Sequence, residues 1–300
     1  MLIFSGSSNK ILAQKIAHSL GKKVSLAEIF VFPDGEKRIT IAEKVLGETV
    51  TLIQSTNTPT DANYIELFLM VDALKRSGAE FIKLLIPYMG YQRQDHIFRD
   101  GEGVSLEVMA KILQEVGVSE VLSFDLHSIK IPEIFTIPTH NLSALSVFAQ
   151  KIKEEFSGKE PILVSPDMGG IRRIKEISEM LNIPYVTIVK ERDLNTGSIS
   201  DSQLNGEVNG KQSIIIDDMI ATGDTMVYAA DLLLKNGATN VFAFATHPIL
   251  AGKASKVLQD SRIEKVFTTD TIEIPEDKKF AKLEILSIAQ IAAKALAVGN

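Results

Sequence analysis

The sequence has 300 residues, of which 45% are hydrophobic and 23% charged, and such a chain can bury one large core or two ordinary ones. It contains no cysteine, which excludes disulfides, thiolate metal sites and a cysteine nucleophile, and we expect a cytoplasmic location. With a net charge of −6, no basic stripe and no apolar run of roughly 20 residues, neither nucleic acid nor a membrane is an expected partner.

Apolar runs of strand length alternate with amphipathic helical patterns along the chain. The continuous apolar character of the strands is typical of parallel sheets that are covered on both faces, so the sequence predicts an α/β fold. The predicted strands are Leu2–Ser5, Val50–Gln54, Ile82–Pro87, Glu120–Asp125, Ile162–Ser165, Tyr185–Val189, Ser213–Asp217 and Val241–Thr246. The predicted helices are Asn9–Leu20, Asn63–Arg76, Leu106–Gln114, Gly170–Leu181, Thr225–Lys235 and Ile285–Ala297.

One strand–loop–helix–strand pattern occurs twice, first in Val50–Pro87 and again in Ser213–Pro248. Any two such units look alike, and glycine is a common residue at helix ends. The two helices nevertheless end in matching sequences that finish with Gly-Ala, which favours a duplicated domain. We therefore predict two domains, 1–144 and 145–300, and the terminal helix 285–297 could pack on the N-terminal one.

The strongest chemical motif begins at the end of the predicted strand Ser213–Asp217. Two carboxylates, Asp217 and Asp218, precede a loop of small residues and a helix predicted to begin near Thr225. Backbone N–H groups of such a loop can bind a phosphate, and the carboxylates can bind sugar hydroxyls or a metal. The alternative is an ordinary turn that caps a helix. The run resembles the phosphoribosyl-binding loop of the phosphoribosyltransferase superfamily.

Four further polar segments narrow this resemblance. They are Phe32–Glu36, Pro87–Asp95, Ser123–Ser128 and Val164–Gly170. With the phosphoribosyl loop, they closely resemble ribose-phosphate pyrophosphokinases over nearly the whole chain. The resemblance implies two duplicated phosphoribosyltransferase-like domains and transfer of the diphosphate of ATP to the C1 hydroxyl of ribose 5-phosphate. It also implies AMP as the second product, a role in nucleotide biosynthesis, and a homo-oligomer, from dimer to hexamer, with active sites shared between subunits.

The resemblance further implies an ATP site built from two segments. Phe32 would stack on adenine from a neighbouring subunit, while the acids of the same turn would contact the adenine amino group. Taken from the residues alone, this segment is a hairpin turn, and the second segment is a solvated loop with surface ion pairs. The implied ATP-binding residues are Phe32, Asp34, Gly35, Glu36, Arg93, Gln94, Asp95 and His96.

Two residues at predicted strand ends are candidate metal ligands. His127 follows a strand next to Asp125, and Asp167 precedes a predicted helix. A lone histidine is more often structural than a ligand, and Asp167 could equally cap the helix. The resemblance makes both residues ligands of Mg²⁺, which is therefore the implied cofactor.

A polar stretch follows Val189 for roughly fifteen residues and predicts a mobile flap, the alternative being an ordinary surface hairpin with solvated charges. The resemblance implies that this is the catalytic loop, in which Lys190 and Arg192 neutralise charge on the transferring phosphates. The residues that it implies for ribose 5-phosphate are Arg192, Asp217, Asp218, Ala221, Thr222, Gly223, Asp224 and Thr225.

Five residues depart from the family pattern. Many relatives have Asp at Ala221 and Gly at Asp224, and they often have a basic residue at His96 and a more basic run where this chain has Glu191 and Asp193. A carboxylate at Asp224 would repel a bound phosphate unless it points away. Two alternative functions stay open. One is a phosphoribosyltransferase that uses the diphosphate product as its substrate, and the other is a non-catalytic regulatory subunit that assembles with an active homologue.

Overall fold

A computed structural model of the chain describes residues 1–192 and 199–298, and it describes only the backbone of 190–192 and 199–202. The strands are β1 (Leu2–Ser5), β2 (Ala27–Val31), β3 (Lys37–Ile41), β4 (Thr49–Ile53), β5 (Phe81–Ile86), β6 (Glu120–Phe124), β7 (Thr139–Leu142), β8 (Pro161–Ser165), β9 (Tyr185–Arg192), β10 (Ile199–Asn205), β11 (Gln212–Ile220), β12 (Asn240–Pro248), β13 (Lys265–Thr269) and β14 (Leu283–Leu286). The helices are α1 (Lys10–Ser19), α2 (Thr60–Arg76), α3 (Ser105–Glu115), α4 (Leu145–Glu155), α5 (Ile171–Leu181), α6 (Asp224–Lys235), α7 (Ala254–Asp260) and α8 (Ala289–Ala297).

The chain divides into two compact units. One unit contains Met1–Ser143, Thr271–Glu273 and the described residues from Ser287 onward, and the other contains Ala144–Asp270 and Ile274–Leu286. Among the helices of the described residues, none has the length and apolar content that a membrane span requires.

The first unit is built on a five-stranded parallel sheet with the order β1-β4-β5-β6-β7. Apolar side chains of α2 and α3 share one core with Phe4, Leu52 and Leu84 of the sheet. Helix α1 packs on β1, and α8 contacts both α1 and β7. Since helices cover both faces, β4 and β5 are buried at nearly every position, which explains their continuous apolar sequences.

A separate antiparallel hairpin, β2–β3, projects from this unit as a two-stranded sheet of its own. Ile29, Ile39 and Ile41 pack against the edge of the core, and β3 contacts α2. The turn that joins the two strands is the segment Phe32–Glu36, so the sequence-based prediction of a hairpin turn is confirmed.

The second unit has a seven-stranded sheet with the order β10-β9-β8-β11-β12-β13-β14, parallel except for β10. Its last five strands repeat the order and direction of the five strands in the first unit. The hairpin β9–β10 follows helix α5 just as β2–β3 follows α1. The predicted α/β fold with a duplicated domain is thus confirmed by the strand order.

Several predicted element bounds were wrong, and three of the differences have a clear structural reason. The terminal helix begins at Ala289 rather than Ile285, because Leu283–Leu286 pairs with β13 as a strand. Strand β11 continues to Ile220 because β12 is equally long and pairs with it to the end. The backbone of 190–192 continues β9 and pairs with β10, where a loop was predicted. The end of the predicted flap forms β10, Ile199–Asn205, and residues 193–198 between the two strands lie outside the described residues.

Candidate active site

Asp217 and Asp218 lie near the carboxyl end of β11, where ligands bind in open α/β sheets. The Oδ1 atom of Asp217 accepts a hydrogen bond of 2.8 Å from the Asp218 backbone N–H. Arg173 lies against both carboxylates, with Nη1 3.3 Å from Asp217 Oδ1 and Nη2 3.9 Å from Asp218 Oδ2. The side chain of Asp218 is buried and that of Asp217 is mostly buried. The two carboxylates beside the Arg173 guanidinium therefore have little contact with solvent.

The surroundings of Asp217 disfavour the charged form of its carboxyl group. Burial and the neighbouring charge of Asp218 raise its pKa well above the usual range, and Arg173 only partly offsets them. Asp167 adds to the same negative potential. Acids with strongly perturbed pKa values are typical of functional sites, because nothing in folding alone requires two carboxylates to be buried together.

A loop that leads to the N-terminus of α6 follows the two acids. The loop reaches α6 through Gly223, whose φ of 87° is in the left-handed region that favours glycine. No side chain caps the N-terminus of α6, so its first backbone N–H groups are available to an anion. A Cβ atom at Gly223 would lie 3.2 Å from Leu258 Cγ, so the loop is held close to α7. The side chains of Thr222, Asp224 and Thr225 are exposed.

Asp167 follows β8 and shapes the turn into α5. Its Oδ1 accepts a hydrogen bond of 3.2 Å from the Gly170 N–H, and its carbonyl oxygen accepts one of 2.8 Å from Ser165 Oγ. A Cβ atom at Gly170 would be only 2.5 Å from Ser165 Oγ, so a side chain there would displace this hydroxyl from its hydrogen bond with the Asp167 carbonyl. The N-cap of α5 is Gly170 rather than Asp167, so Asp167 orders the turn before the helix instead of capping it. Its partly exposed carboxylate contributes negative potential at Asp217.

A hydrogen bond connects the loops that follow β5 and β6 in the first unit. Gln92 is fully buried, and its Oε1 accepts a 3.0 Å hydrogen bond from the His127 backbone N–H. Tyr91 and Asp125, which precede these two residues, are non-glycine residues with φ values of 62° and 36°. Such strained residues cluster at functional sites. The side chain of His127 is exposed at the end of this connection.

The predicted ATP loop continues from Gln92 into a polar surface segment. Arg93, Gln94 and His96 are exposed, and Asp95 is partly exposed. His96 Nδ1 lies 2.6 Å from Asp95 Oδ1, which is the kind of surface pair that was expected. The backbone ahead of this segment is fixed, since Tyr64 donates a 2.8 Å hydrogen bond to the Gly90 carbonyl.

The hairpin turn presents the other predicted nucleotide-binding residues to solvent. The Phe32 N–H donates to the Glu36 carbonyl at 2.8 Å, and Gly35 has a φ of 91°. The backbone N–H of Glu36 also donates to Asp34 Oδ1 at 3.1 Å. The Phe32 ring is 37% exposed, and the Arg38 guanidinium lies 5.6 Å from its centre. The Phe32 side chain is therefore partly accessible to solvent at the turn.

Of the predicted site residues, the structure brings Asp167, Asp217, Asp218 and the 221–225 loop together in the second unit. The backbones of Lys190 and Arg192 lie in β9, and their side chains are outside the description. No group of three or more His, Asp or Glu side chains arranged for a metal occurs in residues 1–192 and 199–298. The predicted ligands His127 and Asp167 lie in different units, the first in Met1–Ser143 and the second in Ala144–Asp270.

Two residues were missed by sequence reasoning. Arg173 had a usable signal, because Arg172 and Arg173 occupy the first turn of α5, where the helix dipole disfavours cations. Arginines at that position indicate a nearby anion. For Gln92 there was no comparable signal, because a glutamine in a polar loop is normally exposed.

The phosphoribosyl transferase domain family matches residues 140–282, and the N-terminal domain of ribose phosphate pyrophosphokinase matches residues 1–117. Ribose-phosphate pyrophosphokinase 1 of Streptococcus mutans is 38% identical over 98% of this chain and 92% of its own length. Ribose-phosphate pyrophosphokinase of Fusobacterium nucleatum is 40% identical over 98% and 93%. The crystal structure of phosphoribosylpyrophosphate synthetase from Mycobacterium smegmatis has a TM-score of 0.94 and 32% identity, over 99% of this chain and 98% of that one.

The fold and the loop after β11 thus define a protein of the phosphoribosyltransferase class. The chain belongs to the ribose-phosphate pyrophosphokinase family. The sequence-based predictions of this family, of its fold and of its diphosphokinase reaction are confirmed.

Proposed function

We propose that Mg²⁺ and the residues around Asp217 and Asp218 carry out the reaction of this family in the chain, which is transfer of the diphosphate group of ATP to the C1 hydroxyl of ribose 5-phosphate for nucleotide biosynthesis. The observation that carries the proposal is the pair Asp217–Asp218 next to the uncapped start of α6. Together they provide acceptors for sugar hydroxyls and donors for a phosphate within one short stretch of chain. We also propose a cytoplasmic homo-oligomer with subunit-shared sites.

Ribose 5-phosphate is proposed to bind along this stretch. Its phosphate accepts hydrogen bonds from the backbone N–H groups of the 221–225 loop, and its 2- and 3-hydroxyls donate to Asp217 and Asp218. Arg173 remains beside the carboxylates as their counter-charge. The exposed side chain of Asp224 points away from the bound phosphate in this arrangement.

ATP is proposed to bind through the two exposed segments of the first unit. The Phe32 ring stacks on adenine, while Asp34 and Glu36, in the turn with Gly35, accept hydrogen bonds from its amino group. The polar segment after β5 contacts the rest of the nucleotide, and Arg93 suits a bidentate contact with phosphate oxygens. The residues of this second segment are Arg93, Gln94, Asp95 and His96.

In the proposed reaction the C1 hydroxyl oxygen attacks the β-phosphorus of ATP in line. The bond between that phosphorus and the bridging α–β oxygen breaks, AMP leaves, and the hydroxyl proton is released. Lys190 and Arg192 supply positive charge to the transferring group. Positioning and neutralisation of charge account for such catalysis without a general base among the protein side chains.

Mg²⁺ is proposed to be held by His127 and Asp167. A carboxylate oxygen is the ligand type that Mg²⁺ prefers, so Asp167 suits it, and His127 would supply one nitrogen. When bound, the ion neutralises negative charge on the phosphates.

The proposed function is tested by phosphorus NMR of the purified chain with ATP, ribose 5-phosphate and Mg²⁺. Formation of AMP together with a diphosphate on C1 of the sugar is the expected result. Formation of ADP, or turnover only when the sugar diphosphate and a nucleobase are supplied, contradicts it. No turnover at all unless an active homologue is added would favour a regulatory subunit instead.

The proposed metal ligands give the first prediction. His127→Ala and Asp167→Ala should each raise the Mg²⁺ concentration for half-maximal activity by about tenfold or more, because one ligand of the ion is lost. The fold should survive, since both residues follow strand ends rather than fill a core. The measurement is activity against Mg²⁺ concentration, with the exposed Asp231→Ala on α6 as a control. Loss of cooperative unfolding with unchanged Mg²⁺ dependence would make these residues structural.

The subunit-shared site gives the second prediction. Glu36→Ala and Lys190→Ala chains should each be nearly inactive alone. Mixed after subunit exchange, they should recover up to about a quarter of the parental activity, because random two-fold pairing leaves that share of sites intact. Exchange is verified by native mass spectrometry of the mixture. A site shared in this way would be excluded by mixtures in which subunits exchange but whose activity never exceeds that of either single variant.

A further inference from the structure

We propose that the ion pair between Lys37 and Glu66 is a positioning device for nucleotide binding, which holds the turn of the β2–β3 hairpin in place. The inference rests on the proposed function, in which Phe32, Asp34 and Glu36 of this turn contact adenine. It adds two residues that contact no substrate and act through the placement of the turn.

Glu66 lies on α2 and is almost completely buried, with 1% of its side chain exposed. Its carboxylate is surrounded by donors from three other parts of the chain. It accepts hydrogen bonds from the Ser7 N–H (2.7 Å), Ser7 Oγ (2.8 Å), Gln54 Nε2 (3.0 Å) and Lys37 Nζ (2.6 Å). Of these donors, only Lys37 belongs to the hairpin.

The other partners of Glu66 are themselves fixed to the main sheet of the first unit. Gln54 follows β4, and its Oε1 accepts hydrogen bonds from Ser8 N and Oγ at 3.1 and 2.8 Å. Gly6 packs so closely on this amide that a Cβ atom there would lie 2.2 Å from Gln54 Oε1. Glu66 is therefore a rigid attachment point for Lys37.

The attachment lies immediately beside the turn. Lys37 follows Glu36 directly and pairs across the hairpin with Val31, the residue before Phe32. A two-stranded hairpin is marginally stable alone, so its orientation depends on contacts with the rest of the unit. Ile29, Ile39 and Ile41 supply apolar contacts further along the strands, and the ion pair supplies a directional contact at the turn end.

The charges make this contact strong and specific. Burial alone would raise the pKa of Glu66, but the hydrogen bonds from Lys37 and Ser7 lower it, so the carboxylate is charged at neutral pH. Lys37 is also partly buried, with 16% of its side chain exposed, which limits screening by solvent. Replacing Lys37 removes the attachment of the hairpin and leaves the hydrogen bonds from Ser7 and Gln54 to Glu66 intact.

The test compares the parent chain with Lys37→Met, and uses Lys44→Met as a matched control because Lys44 is exposed just after β3. Amide hydrogen exchange of residues 27–41 should become about tenfold faster in Lys37→Met only. Calorimetric affinity for α,β-methylene ATP should fall about tenfold, with kcat at saturating ATP within about threefold of the parent. Lys37→Arg, which retains a cation, should restore most of the affinity.

Unchanged exchange in the hairpin would overturn the inference, as would faster exchange without loss of nucleotide affinity. A parent chain that does not bind the nucleotide analogue contradicts the proposed function itself and the inference with it, and this result is seen without any substitution. Should Lys37→Met not fold, Lys37→Gln, which keeps a donor without the charge, is measured in the same way.

Discussion

Replacing Asp217 with asparagine is expected to make the chain more stable near neutral pH and to lower kcat/KM for ribose 5-phosphate about a hundredfold. Stability should rise because burial and Asp218 raise the pKa of Asp217 in the folded state. An acid of this kind penalises folding increasingly as pH rises from its unfolded pKa to its higher folded pKa, and the full penalty applies above both. The neutral amide removes that penalty, on the order of 1 kcal/mol.

Activity should fall for the opposite reason. The charged carboxylate is a stronger acceptor for a sugar hydroxyl than an amide oxygen, and a hydrogen bond to a charged group contributes about 1.5–3 kcal/mol. The Asp217 carboxylate, whose charge destabilises the free protein, is therefore also the group that binds the proposed substrate.

The experiment measures unfolding by denaturant from pH 4 to pH 8 together with steady-state kinetics. The stability difference between Asp217→Asn and the parent should shrink as pH falls, because the parental carboxyl becomes protonated. Asp231→Asn, an exposed change on α6, should alter neither quantity. A variant that is less stable than the parent at neutral pH, or that has parental kinetics, would be incompatible with this account.

Lys190→Ala is expected to lower kcat at least a hundredfold while KM for ATP stays within a few fold. A cation that acts on the transferring phosphates contributes mainly in the transition state, and such a contact is typically about 3–4 kcal/mol. Substrate binding, which does not depend on that charge to the same extent, should change little.

Steady-state kinetics at saturating Mg²⁺ tests this expectation. Lys235→Ala is the matched control, because Lys235 is exposed at the end of α6 remote from the phosphoribosyl loop. Near-parental kcat in Lys190→Ala would mean that Lys190 is a solvated surface residue, which costs almost nothing to remove.

Much of the fold was predictable because the two large sheets are mainly parallel and their central strands are buried. Strands of that kind have continuous apolar sequences, and β4, β8 and β11 were found for this reason. Ile285 and Leu286, the last two residues of β14, were assigned to the terminal helix because a short apolar run has no decisive period. The segment is a strand because it pairs with β13, and a pairing partner distant in sequence cannot be predicted from the neighbouring residues alone.

The candidate site was predictable to the extent that it consists of residues at strand ends. Asp167 and Asp217 follow from that rule, together with the resemblance. Arg173, Gln92 and the pair Lys37–Glu66 could not be placed in this way, because their importance comes from tertiary contacts between segments distant in sequence.

The left-handed glycine at position 223 has a consequence for how this loop tolerates mutation. A phosphate held by main-chain N–H groups, as proposed here, depends on the path of the backbone and little on which side chains the neighbouring positions carry. Positions 221 and 224 can then carry different side chains without loss of the anion site, while Gly223, with its φ of 87° and its close approach to Leu258, cannot be replaced in the same way. Substitutions at the other positions of this loop are therefore poor evidence of lost activity. The residue to inspect in divergent relatives is Gly223.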